Sequence, residues 1–152
     1  MTNPLCPPLH LPMTSNGTFD TVALKGQPFV LYFYPKDNTP GCTTEGGDFR
    51  DLHESFLAAN CPVFGISRDS IKSHEGFKAT QSYPFELVSD QDELACRAFD
   101  VIKNKKMYGK DVQGIERSTF VINRQGEIAK EWRAVKVPGH VAEVLAFVQT
   151  LK

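Results

Sequence analysis

The chain has four cysteines but no Cys-x-x-Cys pair among them. Cys6, Cys42, Cys61 and Cys96 lie 36, 19 and 35 residues apart, which gives no support to a zinc ribbon or to the close dithiol of a general disulfide reductase. Net charge is nearly lacking as well: 17 basic against 18 acidic side chains leave −1 at pH 7. No electrostatic case therefore exists for nucleic acid or an anionic membrane surface as a partner. No apolar run reaches the ~18 residues of a transmembrane helix. The opening stretch, MTNPLCPPLHLPM, has no basic segment ahead of a long apolar one and does not read as a secretory signal. A cytoplasmic location is the expectation. His10, His53, His74 and His140 are widely spaced with no ligand pattern, so neither a metal nor another cofactor is expected.

What is present is an ordinary globular composition, 41% hydrophobic and 23% charged over 152 residues, enough for one domain spanning 1–152 with a sizeable core. Apolar residues flank SNGT at 15–18, and Asn16-Gly17 is a strong type I′ hairpin signal. PFVLYFYP at 28–35 is a continuous apolar run of strand length, as in a strand covered on both faces. A helix is expected from about Thr43 to Ala59, with Phe49, Leu52, Phe56 and Leu57 on one apolar face. CPVFGIS at 61–67 reads as a second core strand, 70–83 as a helix, FELVSD at 85–90 as a strand and 92–101 as a short helix. Residues 103–114, basic and polar with Gly109 and Gly114, read as a surface loop. Residues 117–123 and 127–135 flank the turn NRQG as a hairpin, with Trp132 packed in the sheet. A last helix opens at Pro138-Gly139-His140, its stripe formed by Val141, Val144, Leu145, Val148 and Leu151. Early strand–helix alternation followed by a hairpin and a helix gives an α/β fold, with a mixed central sheet, helices on both faces and an N-terminal β-hairpin.

Cys42 differs from the other cysteines in its surroundings. Pro35 cannot donate to a sheet ladder and so ends the strand. Pro40 and Gly41 then turn the chain, placing Cys42 where a helix begins. Free backbone N–H groups and the positive end of the helix dipole stabilise an anion there, and thiolate reactivity depends on such settings. Thr39, three residues earlier, can aim its hydroxyl at a species bound by the sulfur. Residues read this way make Cys42 a nucleophile without naming its substrate.

PKDNTPGC, of the form P-x-x-x-T-x-x-C, resembles the peroxidatic signature of the peroxiredoxins. With KKMYGKDVQGIERSTFVIN at 105–123, the chain resembles the PrxQ group, also called bacterioferritin comigratory proteins, over nearly its whole length. The resemblance implies a thioredoxin-like fold and thiol-dependent reduction of hydrogen peroxide and organic hydroperoxides, with a monomer expected. It makes Cys42 the peroxidatic cysteine, oxidised to a sulfenic acid. Thr39 would bond the peroxide, Pro35 shield the thiolate, and Arg117 stabilise the charge moving onto the leaving oxygen. By position alone Arg117 is an ordinary strand-edge arginine. Glu45, which could cap the helix or orient Arg117, and Phe33, which with Tyr34 could line the entry to Cys42, are secondary candidates.

The chain also departs from that group. Many members carry a resolving cysteine five residues after the first, where Gly47 stands here; others carry it on the next helix, where this chain has Lys78. Neither usual internal disulfide can form. An external thiol, thioredoxin or glutathione with glutaredoxin, is the favoured partner, with Cys6, Cys61 or Cys96 after rearrangement as the alternative. Gly46-Gly47 reads either as a loosened helix start, since each glycine costs about 1 kcal/mol against alanine, or as drift after loss of a cysteine. His53 reads as a satisfied structural histidine. The competing function is a peroxide sensor or redox-regulated holdase chaperone with little turnover.

Overall fold

In the computed structural model, which describes residues 4–151, the apolar run at 28–35 becomes the middle of a sheet. Its strand, β3 (Phe29–Phe33), follows β1 (His10–Met13) and β2 (Gly17–Asp20). The chain continues through α1 (Pro40–Asp51), α2 (His53–Ala58), β4 (Val63–Ser67), α3 (Ile71–Gln81), β5 (Glu86–Ser89) and α4 (Leu94–Ala98). Then come β6 (Ile102–Met107), β7 (Lys110–Ile115), β8 (Ser118–Ile122), β9 (Ile128–Trp132) and α5 (His140–Val148). Seven strands form one mixed sheet in the order β2-β1-β5-β4-β3-β8-β9. Its centre, β3–β4–β5, is parallel, and the pairings β1–β2, β1–β5, β3–β8 and β8–β9 are antiparallel. This is the expected mixed sheet, and the N-terminal hairpin joins it through β1 and β5.

Side chains of a strand alternate between faces, and residues 29–34 divide accordingly. Val30, Tyr32 and Tyr34 point into a cluster with Phe49, Phe56, Phe77, Val141, Val144 and Val148, under α1, α2, α3 and α5. Phe29, Leu31 and Phe33 point into a second cluster with Ala95, Cys96, Phe99 and Phe120, under α4. Helices therefore cover both faces, four on one and a five-residue helix on the other. Each fully buried Leu or Phe in these layers contributes about 1.5–3 kcal/mol. Among the described residues no helix is long and apolar enough to cross a membrane.

Several expectations need correcting. The helix expected over 43–59 starts earlier, because Pro40 takes the first helical position, where its missing N–H costs nothing. It also breaks at Leu52, whose φ of −104° and ψ of 10° close α1 and open α2. The break re-phases the second half, so Phe56 is buried but Leu57 is 53% exposed. The segment 103–114 is not a loop: β6 and β7 form a separate two-stranded hairpin, turned at Tyr108 (φ 52°) and Gly109 (φ 78°). Both of its faces meet solvent over most of its length, so no apolar alternation marks it as strand. In the first hairpin the left-handed residues are Ser15 and Asn16 rather than Asn16 and Gly17.

The two helical glycines have different causes. A Cβ on Gly46 would lie 2.3 Å from the Tyr83 hydroxyl oxygen and 2.4 Å from the ring carbon bearing it. Tyr83 cannot retreat, since it stacks on Phe85 and packs edge-on against Phe77. Gly46 is thus required by packing, not by looseness or drift. A Cβ on Gly47 would meet only the end of Arg50, at 3.4 Å. Gly46→Ala is predicted to destabilise the protein by about 1–3 kcal/mol, and Gly47→Ala to stabilise it by about 0.5–1 kcal/mol. Urea unfolding of the two variants checks this; equal effects at both positions would contradict it.

Candidate active site

Thr39 is the N-cap of α1, and Cys42 is the third residue inside the helix. The Thr39 hydroxyl makes no capping bond; it donates instead to the Lys36 carbonyl at 2.7 Å. The Cys42 side chain is 2% exposed and belongs to the cluster beneath α1. Its polar neighbour comes from far along the chain. Arg117, immediately before β8, directs Nη2 to the Cys42 sulfur at 3.4 Å and donates from Nη1 to Glu45 Oε1 at 2.7 Å. Gly41 leaves room for this approach, since a Cβ there would lie 3.1 Å from Nη2. The backbone of Arg117 is held as well, its carbonyl accepting from Val135 N–H at 3.0 Å.

Glu45 bonds the Arg117 guanidinium rather than the start of its own helix. Its side chain is fully buried, one oxygen is bonded to the guanidinium, and Oε2 has no hydrogen-bond partner among the described residues. Burial pushes its carboxyl from the ordinary 4.5 up to about 7, a rise that Arg117 only partly offsets. Burial works against the Arg117 charge too, yet Glu45 and Cys42 together hold its pKa above the ordinary value. A buried thiol at a helix N-terminus, touched by a fixed guanidinium, is equipped to attack an electrophile and to stabilise negative charge beside it.

The sequence pattern of the AhpC/TSA family matches residues 4–131. The chain is 56% identical to peroxiredoxin Bcp of Xanthomonas campestris pv. campestris over 138 residues, 90% of this chain and 86% of the relative. It is 51% identical to peroxiredoxin Bcp of Bacillus subtilis over 146 residues, 96% and 91% of the two chains. The chain belongs to the AhpC/TSA family. It is a peroxiredoxin of the PrxQ/Bcp group, and its fold is the thioredoxin-like one. A solved structure of Xanthomonas campestris peroxiredoxin Q superposes with a TM-score of 0.89 at 52% identity, covering 93% of this chain and 89% of that one. Another structure, with the same TM-score, identity and 93% cover of this chain (90% of that one), is of the bacterioferritin comigratory protein from that organism, described for its alkyl peroxide reduction activity.

In this peroxiredoxin the sequence-derived candidates do not all converge. Cys42, Arg117 and Glu45 are in direct contact, with Thr39 at the head of the same helix. Pro35 is half-buried just beyond β3. Tyr34 shares the Cys42 cluster, whereas Phe33 points to the opposite face against Phe99 and Phe120, so it serves the core rather than an entry to the sulfur. All four cysteines are free. Cys61 precedes β4, whose partner β3 runs parallel to it, and so lies at the opposite strand ends from Cys42. Cys96 lies under the other face. Cys6, half-buried, sits near Gly126 at the far end of β3, where its N–H donates to the Gly126 carbonyl. Burial raises the thiol pKa of all three, to about 11 for Cys6 and about 12 for Cys61.

The histidines settle differently from the sequence reading. His53 is not satisfied: its Nδ1 is buried without a partner, and burial lowers its pKa. His140 bonds Thr119 Oγ1 at 2.8 Å, and burial lowers it to about 4. His74 joins Asp37 and Asp69 in a cluster that sequence spacing concealed. Hydrogen bonds account for that cluster without an ion. Asp37 accepts from Tyr34 and Ser73, Asp69 Oδ2 accepts from Ser67 and from Asp37 N–H, and both His74 nitrogens are engaged.

The raised Glu45 carboxyl has a measurable consequence. Its folded value of about 7 exceeds the ordinary 4.5, so ionising it costs the folded state more than the unfolded one. Relative to Glu45→Gln, the wild type should therefore lose stability as pH rises from about 4.5 through 7, by on the order of 3 kcal/mol in full. Paired urea titrations at pH 4.5, 6 and 8 check the slope. A wild type that gains on the Gln variant over this window would show that Arg117 outweighs burial.

Proposed function

We propose that Cys42 is the peroxidatic residue, that it reduces hydrogen peroxide and organic hydroperoxides, and that an external thiol restores it. The contact of Arg117 Nη2 with the Cys42 sulfur at the N-terminal turn of α1 is the observation that carries this reading. The activity described for the Xanthomonas bacterioferritin comigratory protein supports organic hydroperoxides as substrates.

The hydrogen bonds support the following order of steps. The Thr39 hydroxyl gives its only proton to the Lys36 carbonyl, so towards a peroxide it can only accept, and a peroxide O–H is the donor it meets. That bond holds the terminal oxygen towards the Cys42 thiolate while Arg117 faces the second oxygen. The sulfur attacks the terminal oxygen, an S–O bond forms, the O–O bond breaks, and the leaving alkoxide or hydroxide departs beside the guanidinium and takes up a proton. Cys42 becomes a sulfenic acid and the peroxide an alcohol or water. The Pro35 ring limits water at the sulfur. An external thiolate then attacks the sulfenic sulfur, releasing water and leaving a mixed disulfide. A second thiol reduces this and returns Cys42. Position 47 is glycine and position 78 a lysine, and Cys6, Cys61 and Cys96 lie away from Cys42, which favours thioredoxin or glutathione with glutaredoxin as the source. The sulfenic acid then waits for an encounter and is exposed to further oxidation.

Treatment with one equivalent of hydroperoxide in the presence of a sulfenic-acid trap, followed by non-reducing peptide mapping, tests both halves. The expected product is trapped Cys42 with no internal disulfide; a link from Cys42 to Cys6, Cys61 or Cys96 would refute the external-thiol route. Cys42→Ser should abolish turnover. Thr39→Val should slow Cys42 oxidation about tenfold, the value of one hydrogen bond. Arg117→Met should slow it about 10²- to 10³-fold, as loss of a preorganised donor does elsewhere.

A further inference from the structure

Asp37 is a buried carboxylate in a loop that otherwise lies at the surface. Lys36 and Asn38 on either side are exposed, while Asp37 is 4% exposed. Its Oδ1 accepts from the Tyr34 hydroxyl at 2.6 Å and its Oδ2 from the Ser73 hydroxyl at 2.7 Å. Oδ2 also lies 2.8 Å from Nδ1 of His74, which is completely buried. His74 Nε2 faces the Val88 carbonyl of β5 at 2.9 Å. A carbonyl only accepts, so Nε2 carries a proton, and the Nδ1–Oδ2 contact needs a second one. Two hydroxyls also donate to the Asp37 carboxyl group, so Asp37 and His74 form a buried, fully hydrogen-bonded pair.

The pair joins parts of the chain that bear on Cys42. Tyr34 and Asp37 bracket Pro35. Asp37 N–H donates to Asp69 Oδ2 at 3.0 Å, Asn38 turns with φ 63°, and Thr39 then closes onto Lys36. Between Pro35 and Thr39, Asp37 is the one fully buried residue, and Ser73 and His74 of α3 are among the groups that anchor it.

We propose that His74 is a positioning residue for peroxide reduction: through Asp37 it holds the Pro35–Thr39 loop, and with it the Thr39 hydroxyl, in place at the head of the helix that carries Cys42. This rests on Cys42 being the peroxidatic residue. Without the ring, the buried Oδ2 of Asp37 loses its imidazole partner, and the loop is drawn outward to hydrate it. Asp37→Asn is different. Its amide oxygen accepts from Tyr34 and its N–H donates to His74 Nδ1, so the anchor is rebuilt.

Two reactions of the same thiol separate positioning from general stability: oxidation by hydrogen peroxide, which uses Thr39, and alkylation by iodoacetamide, which does not. In His74→Phe the peroxide rate should fall about 10- to 100-fold, as a misplaced reacting geometry does, with alkylation nearly unchanged. Asp37→Ala, which removes the anchor from the loop side and serves if His74→Phe fails to fold, should show the same divergence. Asp37→Asn should keep a rate near that of the wild type. A folded His74→Phe or Asp37→Ala protein that reacts with peroxide as the wild type does, or that loses both reactions in parallel, overturns the proposal. If peroxide leaves wild-type Cys42 unoxidised, the site reading fails and this proposal with it, an outcome that the wild-type trace distinguishes from failure at His74 alone.

Discussion

The guanidinium of Arg117 touches Cys42 and Glu45 at once, and much of the architecture is needed for that one placement. β8 must lie antiparallel beside β3 so that residue 117 arrives at the end where β3 gives way to α1. α1 must begin at Pro40, so that Cys42 and Glu45, three residues apart, fall on neighbouring positions of one helix face. Gly41 must lack a side chain for the arginine to come close. The arrangement is costly, since it buries a carboxylate whose second oxygen has no partner among the described residues. Arg117 is worth that cost only if its charge is wanted at the sulfur, and the same cost raises the Glu45 carboxyl.

A contact at 3.4 Å needs a helix that does not rock. Phe49 of α1 stacks on Tyr32 of β3 with ring centres 4.5 Å apart, and Tyr34 also stacks with Tyr32, at 5.5 Å. Tyr83 enters beside Gly46 and donates to the Thr43 carbonyl at 3.2 Å. The aromatic layer thus fixes the helix from below, while Asp37 and His74 fix the loop that leads into it.

The cysteines divide by environment rather than by number. Cys42 has a guanidinium; burial works against the thiolates of the other three, joined at Cys96 by the Asp90 carboxylate. At position 78 the lysine is part of the packing: its Nζ pairs with Glu86 at 3.2 Å and donates to the Ser15 hydroxyl at 3.3 Å, tying α3 to β5 and the first turn.

Most of the strands and helices were legible in the sequence, because burial imposes a period on whatever is buried. The run at 29–34 and the stripe from Val141 to Val148 announced themselves in this way. The hairpin at 102–115 did not, since a ribbon wet on both faces has no apolar alternation. The break at Leu52 was equally silent, a matter of one residue's backbone angles. For the site, Pro35, Thr39 and Cys42 lie within eight residues and could be read as a motif. By itself, then, the sequence determined the sheet, its covering helices and the thiol at a helix start. Only the tertiary structure decided that Glu45 would bond Arg117, 72 positions away, and Asp37 would bond His74, 37 positions away. Neither pair has a period or spacing rule; each meets because β8 pairs with β3 and α3 packs over the loop, and a buried polar group must then take whatever partner the fold brings to it.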